Sequence, residues 1–121
     1  MRSVQLIYLF WLVLSSPAAA QEPVKIAGRW DIIIQFVRGD GHYTAFFEQA
    51  DGQLRGTYRG QFTEGSLGGT VEGKNIHFRG LLKIEGTQLV YDYVGTIEKD
   101  QMEGKVDLDE YGEARWVARK H

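Results

Sequence analysis

The sequence predicts an all-β fold, an eight-stranded antiparallel up-and-down (meander) barrel over residues 28–120. Three observations predict it. Between Gly28 and Lys120, short runs of alternating apolar and polar residues are broken by turn signals roughly every dozen residues. No stretch carries capped helical periodicity, and both prolines, Pro17 and Pro23, precede the fold, so every strand keeps its ladder donors. Finally, Gly69-Thr70-Val71-Glu72-Gly73-Lys74-Asn75-Ile76 is echoed by Gly95-Thr96-Ile97-Glu98-Lys99-Asp100-Gln101-Met102. Each copy is a strand end, a two-residue turn and a strand start, and the offset is one hairpin, as a meander requires. Closing such a meander removes the sheet edges that invite aggregation.

The first strand is expected over 28–37, with Arg38-Gly39-Asp40-Gly41 as its turn. The second covers 42–49 and ends at Ala50-Asp51-Gly52, whose Asp-Gly pair is a strong hairpin signal. The third covers 53–62, turned by Thr63-Glu64-Gly65-Ser66, and the fourth 67–72, turned by Gly73-Lys74. The fifth runs over 75–84 to Glu85-Gly86-Thr87, and the sixth over 88–98 to Lys99-Asp100. The seventh covers 101–108, Asp109-Glu110-Tyr111-Gly112 turns the chain, and the eighth covers 113–120.

Residues 1–20 have the pattern of a cleaved signal peptide. Arg2 is the positive start, Val4 to Leu14 is apolar but for one Gln, and Ala18-Ala19-Ala20 supplies a cleavage site. The apolar run is about half the ~20 residues that a membrane-spanning helix needs. The expectation is therefore a secreted or periplasmic protein with no membrane segment after cleavage, and residues 21–27 as a leader into the barrel. No cysteine is present, so thiol catalysis, thiolate metal sites and disulfide staples are excluded, and packing and strand pairing must hold the fold. All 16 acids and all but one of the 14 Lys and Arg lie beyond residue 20, with the bases scattered. That balance reads as solubility and not as a nucleic-acid footprint.

Successive side chains alternate faces along a strand, so the more apolar set of each strand is assigned to the lumen. This turns Trp30, Ile32 and Ile34 inward, with Tyr43, Ala45, Phe47, Leu54 and Tyr58 from the next two strands. Leu67, Val71, Ile76, Phe78 and Leu82 follow, then Tyr91, Tyr93, Ile97, Met102, Val106, Trp116 and Ala118. Arg55, Arg59, Glu72, His77, Arg79, Asp92, Glu103 and Lys105 then face solvent. Gly56, Gly69, Gly80, Gly95 and Gly104 share the inner face, marking either strong wall curvature with large rings over the gaps or a cavity. The hydroxyls of Tyr43, Tyr58, Tyr91 and Tyr93 either satisfy one another or are offered to a ligand.

Gly28-Arg29-Trp30 opens the first strand, and Trp116 and Arg119 stand in the last. This resembles the calycins: lipocalins, fatty-acid-binding proteins and avidins. The resemblance implies a barrel plugged at one end by Trp30, with a basic residue of the last strand, Arg119 or else Arg115, packed across it. Residues 50–58, Ala-Asp-Gly-Gln-Leu-Arg-Gly-Thr-Tyr, look like the avidin hairpin whose tyrosine donates to biotin, which gives Tyr58 that position. Gly60 and Ile32 stand where avidins carry polar ligand-binding residues, so tight biotin binding is not expected.

The remaining chemistry is sparse. His42, His77 and His121 have no metal-ligand spacing, and 107–113 lacks the ligand pattern of an EF-hand calcium loop. Ser66 is the only serine after residue 20 and sits in an expected turn, so a serine nucleophile is not expected. The expectation is a non-enzymatic binding module with no cofactor and no metal. It would take a small apolar or aromatic molecule in a lumen lined by Tyr43, Tyr58, Phe78, Tyr91, Tyr93 and Trp116. The alternative is a solid-cored barrel that meets a protein partner through its rim. Its size is similar to that of bacterial metalloprotease inhibitors, a resemblance that would make residues 21–27 an inserting segment.

Overall fold

The computed structural model describes residues 22–121, Ile84 by its backbone alone; the signal-peptide reading lies outside the described residues. Eight strands follow one another around a closed barrel: β1 (Gly28–Phe36), β2 (Gly39–Ala50), β3 (Gln53–Arg59), β4 (Glu64–Glu72), β5 (Asn75–Ile84), β6 (Thr87–Glu98), β7 (Gln101–Asp107) and β8 (Glu113–Lys120). Each pairs antiparallel with its sequence neighbours, and β1 closes the ring on β8, with Ile32 opposite Ala118 and Ile34 opposite Trp116. The expected fold class is the observed one. The alternation sorts as expected too: every large apolar residue assigned inward is buried except Tyr43, which is half-buried at one mouth.

Two turns fall elsewhere than the sequence suggests, for one reason. The first hairpin turns at Val37-Arg38, and Gly39-Asp40-Gly41 already belongs to β2, with Phe36 opposite Gly39. Gly41 faces the lumen, where a Cβ would run into the rings of Phe36 and Tyr43. In the second case β3 stops at Arg59 and the chain turns over 60–63, closed by Gly60 N–H donating to the Thr63 carbonyl at 2.7 Å. Gly65 is then a strand residue, where a Cβ would land on the Leu81 carbonyl. In both places glycine serves the wall and not the turn. The last connection is a short 3-10 helix, η1 (Asp109–Tyr111), with Leu108 tucked inward and buried.

Four of the five inward glycines, Gly56, Gly69, Gly95 and Gly104, have a single cause, whereas a Cβ at Gly80 would make only ordinary contact. A Cβ at Gly104 would collide with the Val94 carbonyl, and one at Gly95 would meet Cζ2 of Trp116 at 2.8 Å. The Tyr58 ring lies over Gly80 at 3.6 Å. Neighbouring strands curl tightly, and large rings occupy the space that side chains would otherwise take.

Candidate functional site

The lumen is filled with stacked rings. Tyr43 stacks on Tyr58 at 5.1 Å between centroids, and Phe78 stacks on Tyr93 at 4.3 Å. Trp116 meets Tyr93 and Phe78 edge-on at 5.3 and 5.7 Å, and Phe47 closes on Phe78 at 5.2 Å. Such offset and edge-to-face arrangements are the favourable aromatic geometries. Three of the polar atoms here are committed. The Tyr58 and Tyr93 hydroxyls share a hydrogen bond, and Trp116 Nε1 donates to the carbonyls of Val94 and Lys105 at 3.1 and 3.0 Å. Among the described residues no buried side-chain nitrogen or oxygen lacks a partner. A polar ligand would therefore find the Tyr58, Tyr93 and Trp116 groups already partnered, and only the half-buried Tyr43 hydroxyl without a hydrogen bond among these rings.

Burial holds these phenols neutral. Desolvation drives Tyr58 and Tyr93 far above the ordinary tyrosine range, with the neighbouring hydroxyl a further influence on each. Tyr43 is pushed up to about 12, first by burial and then by the nearby Tyr91. Tyr91 is raised by burial and then by Tyr111.

The two ends of the barrel differ. At one end the leader crosses the opening and seals it. Ile26 is fully buried, Trp30 Nε1 donates to its carbonyl at 2.8 Å, and Gln49 bonds Ile26 N–H and the Val24 carbonyl through its side-chain amide. Val24 N–H donates to the Gly73 carbonyl at 3.0 Å. Gly28 holds φ +120°, which lets the chain turn from the leader into β1. Trp30 is thus the buried residue of this end, but Arg119 does not cap it. Arg119 is exposed on the outer face opposite Asp31, because the β1–β8 register pairs Trp30 with Lys120, whose stem passes Gly28. Within the leader, which the alternative reading would have insert into a partner, Ile26 belongs to the core and Val24 packs against it, while Glu22, Lys25 and Ala27 are exposed.

At the opposite end lies a groove of about 710 Å³ between the β1–β2 turn, the β5–β6 turn and η1. Phe36, Leu89, Tyr91, Leu108 and Ala114 supply apolar lining, and Arg38, Glu85, Glu110 and Glu113 supply charge. Three large apolar side chains stand exposed around this end: Val37, Phe62 and Tyr111. Of the six residues expected to line a binding lumen, only Tyr91 reaches the groove. Tyr58, Phe78, Tyr93 and Trp116 are buried in the ring cluster, and Tyr43 stands half-buried above Tyr58. One sequence signal could have found the mouth. In a meander every second connection shares an end, and Val37, Phe62 and Tyr111 lie in the first, third and seventh connections.

No protein-family model matches the sequence, and no curated protein matches it.

Proposed function

We propose that this chain is an exported binding module of calycin-like build whose working surface is the open mouth of the barrel and not its lumen. The ligand is a small apolar or aromatic molecule seated in the groove. One observation carries the reading: a concave site of about 710 Å³ with an apolar floor, at the end where large apolar side chains are left uncovered. Small-molecule sites typically span roughly 300–1,000 Å³ and are apolar with a few polar groups, as this one is. Export rests on the signal-peptide pattern of residues 1–20.

A second reading is contact with a protein through the same rim. Its support is the exposure of Val37, Phe62 and Tyr111 on three separate connections, since uncovered apolar clusters mark interaction surfaces. One variant separates the two. Ala114→Trp fills the groove while leaving the three rim residues in place. Small-molecule binding, read as a rise in melting temperature across a panel of aromatic and alkyl compounds, is expected in the wild type and lost in the variant. A panel with no effect on the wild type would sink the groove reading.

A further inference from the structure

The groove's charge is unbalanced. Glu85, Glu110 and Glu113 line it against the single guanidinium of Arg38, and none of the four takes part in an ion pair among the described residues. Four acids elsewhere on the barrel are matched. Asp31 meets Arg29, Glu64 meets Arg59, Glu98 meets Lys74, and Asp92 sits between His77 and Arg79. Asp109 adds negative charge to η1, beside Asp107, whose carboxylate accepts the Asp109 N–H at 3.0 Å. Two other bases near this end are outside the groove lining: Lys83 lines a separate hollow beside the β3–β4 connection, and Arg115 stands exposed on the outer wall beside Gln35.

Resting on the groove reading, we infer that its ligand is an amphiphilic cation, an alkyl or aryl body carrying an ammonium or amidinium head. The body lies on Leu89, Tyr91 and Leu108. The head meets the carboxylates of Glu110 and Glu113 on one side and Glu85 on the other. The exposed Tyr111 ring offers an aromatic face to the same charge. A carboxylate-headed amphiphile of the same body would meet repulsion from three sides. The groove is concave enough to concentrate the field of its carboxylates on what enters.

The test is calorimetric titration of the protein, purified after export, with three probes of one chain length: decyltrimethylammonium, 1-decanol and decanoate, all below micelle-forming concentrations. The cation is expected to bind about tenfold tighter than the alcohol, with decanoate weakest. Glu110→Gln combined with Glu113→Gln should weaken the cation roughly fivefold and leave decanol unchanged, and added salt should weaken only the cation. Equal binding of cation and alcohol, or preference for decanoate, overturns the cation assignment while the groove still binds. Binding of no probe, or binding that survives Ala114→Trp, overturns the groove reading itself and the inference with it.

Discussion

The two ends of this barrel bury similar kinds of side chain by different means, and the difference separates structure from function. At the sealed end, Ile26 and Trp30 are covered by backbone tied down at two residues: the Ile26 carbonyl by the indole, its N–H by Gln49, and the Val24 N–H by Gly73. At the open end, the connections are two two-residue turns, a tight loop and one turn of 3-10 helix, and they leave Val37, Phe62 and Tyr111 exposed. Apolar groups that are covered hold the fold. Apolar groups left in water beside a groove add little to the fold and are free to contact what binds there.

The largest expected effect tests this contrast directly. Trp30→Ala should destabilise by about 3–5 kcal/mol and Ile26→Ala by about 2–5, as core truncations that leave cavities. Tyr111→Ala and Phe62→Ala should stay within about 0.5 kcal/mol. Urea denaturation gives all four as midpoint shifts. Comparable losses at both ends would abolish the distinction.

Between the ends, the wall depends on close approach. Gly104→Ala should cost about 1–3 kcal/mol, because its methyl would meet the Val94 carbonyl on the lumen side. Gly68→Ala, outward and with its nearest neighbour at an ordinary 3.7 Å, should be within about 0.5 kcal/mol. If thermal melts rank the two variants the other way, glycine has some other role in the wall.

The ring cluster offers a third test. Tyr58→Phe leaves the Tyr93 hydroxyl buried without its partner and should cost about 1–3 kcal/mol. The double change with Tyr93→Phe should recover much of that loss, since both polar groups are then gone. A double variant as unstable as the sum of the singles would mean the hydroxyls do not act as a pair.

The tyrosines also set an alkaline limit. In the unfolded chain they ionise near 10, whereas in the fold Tyr43 holds its proton to about 12 and Tyr58 and Tyr93 beyond that. Above pH 10 the unfolded state therefore binds fewer protons, so their contribution, complete below that pH, is lost as pH rises. In a Tyr111→Phe variant, which removes the exposed phenol, phenolate absorbance and near-ultraviolet circular dichroism should change together, because the buried pair ionises only on unfolding. Tyr58 or Tyr93 phenolate in that variant while the fold persists would show that the rings are more accessible than their packing implies.

The smallest expected effect is none at all. Biotin should give no heat on titration, because Tyr58, the residue in the avidin-like position, is already bonded to Tyr93, and Ile32 and Gly60 offer no polar side chain. A sub-micromolar constant would show that the cluster opens to admit a ligand.

Alternation and turn chemistry are local, and they alone determined the eight strands, their order and the buried face of each, down to Trp30, Phe78 and Trp116. Glycine was legible as a signal but not in its sense. Gly41 and Gly65 resemble turn residues, yet they stand in strands, and only the approach of neighbouring backbone or rings distinguishes the two uses. Whether the lumen is hollow or full was likewise a matter for the tertiary structure. It depends on how the rings of Tyr58, Phe78, Tyr93 and Trp116 sum around a closed circle, and on whether Tyr58 and Tyr93 come within reach of each other across 35 residues of chain. The mouth groove is non-local in the same way. Its lining comes from β1, the β5–β6 turn, β6, η1 and β8, segments that only closure of the barrel brings to one end.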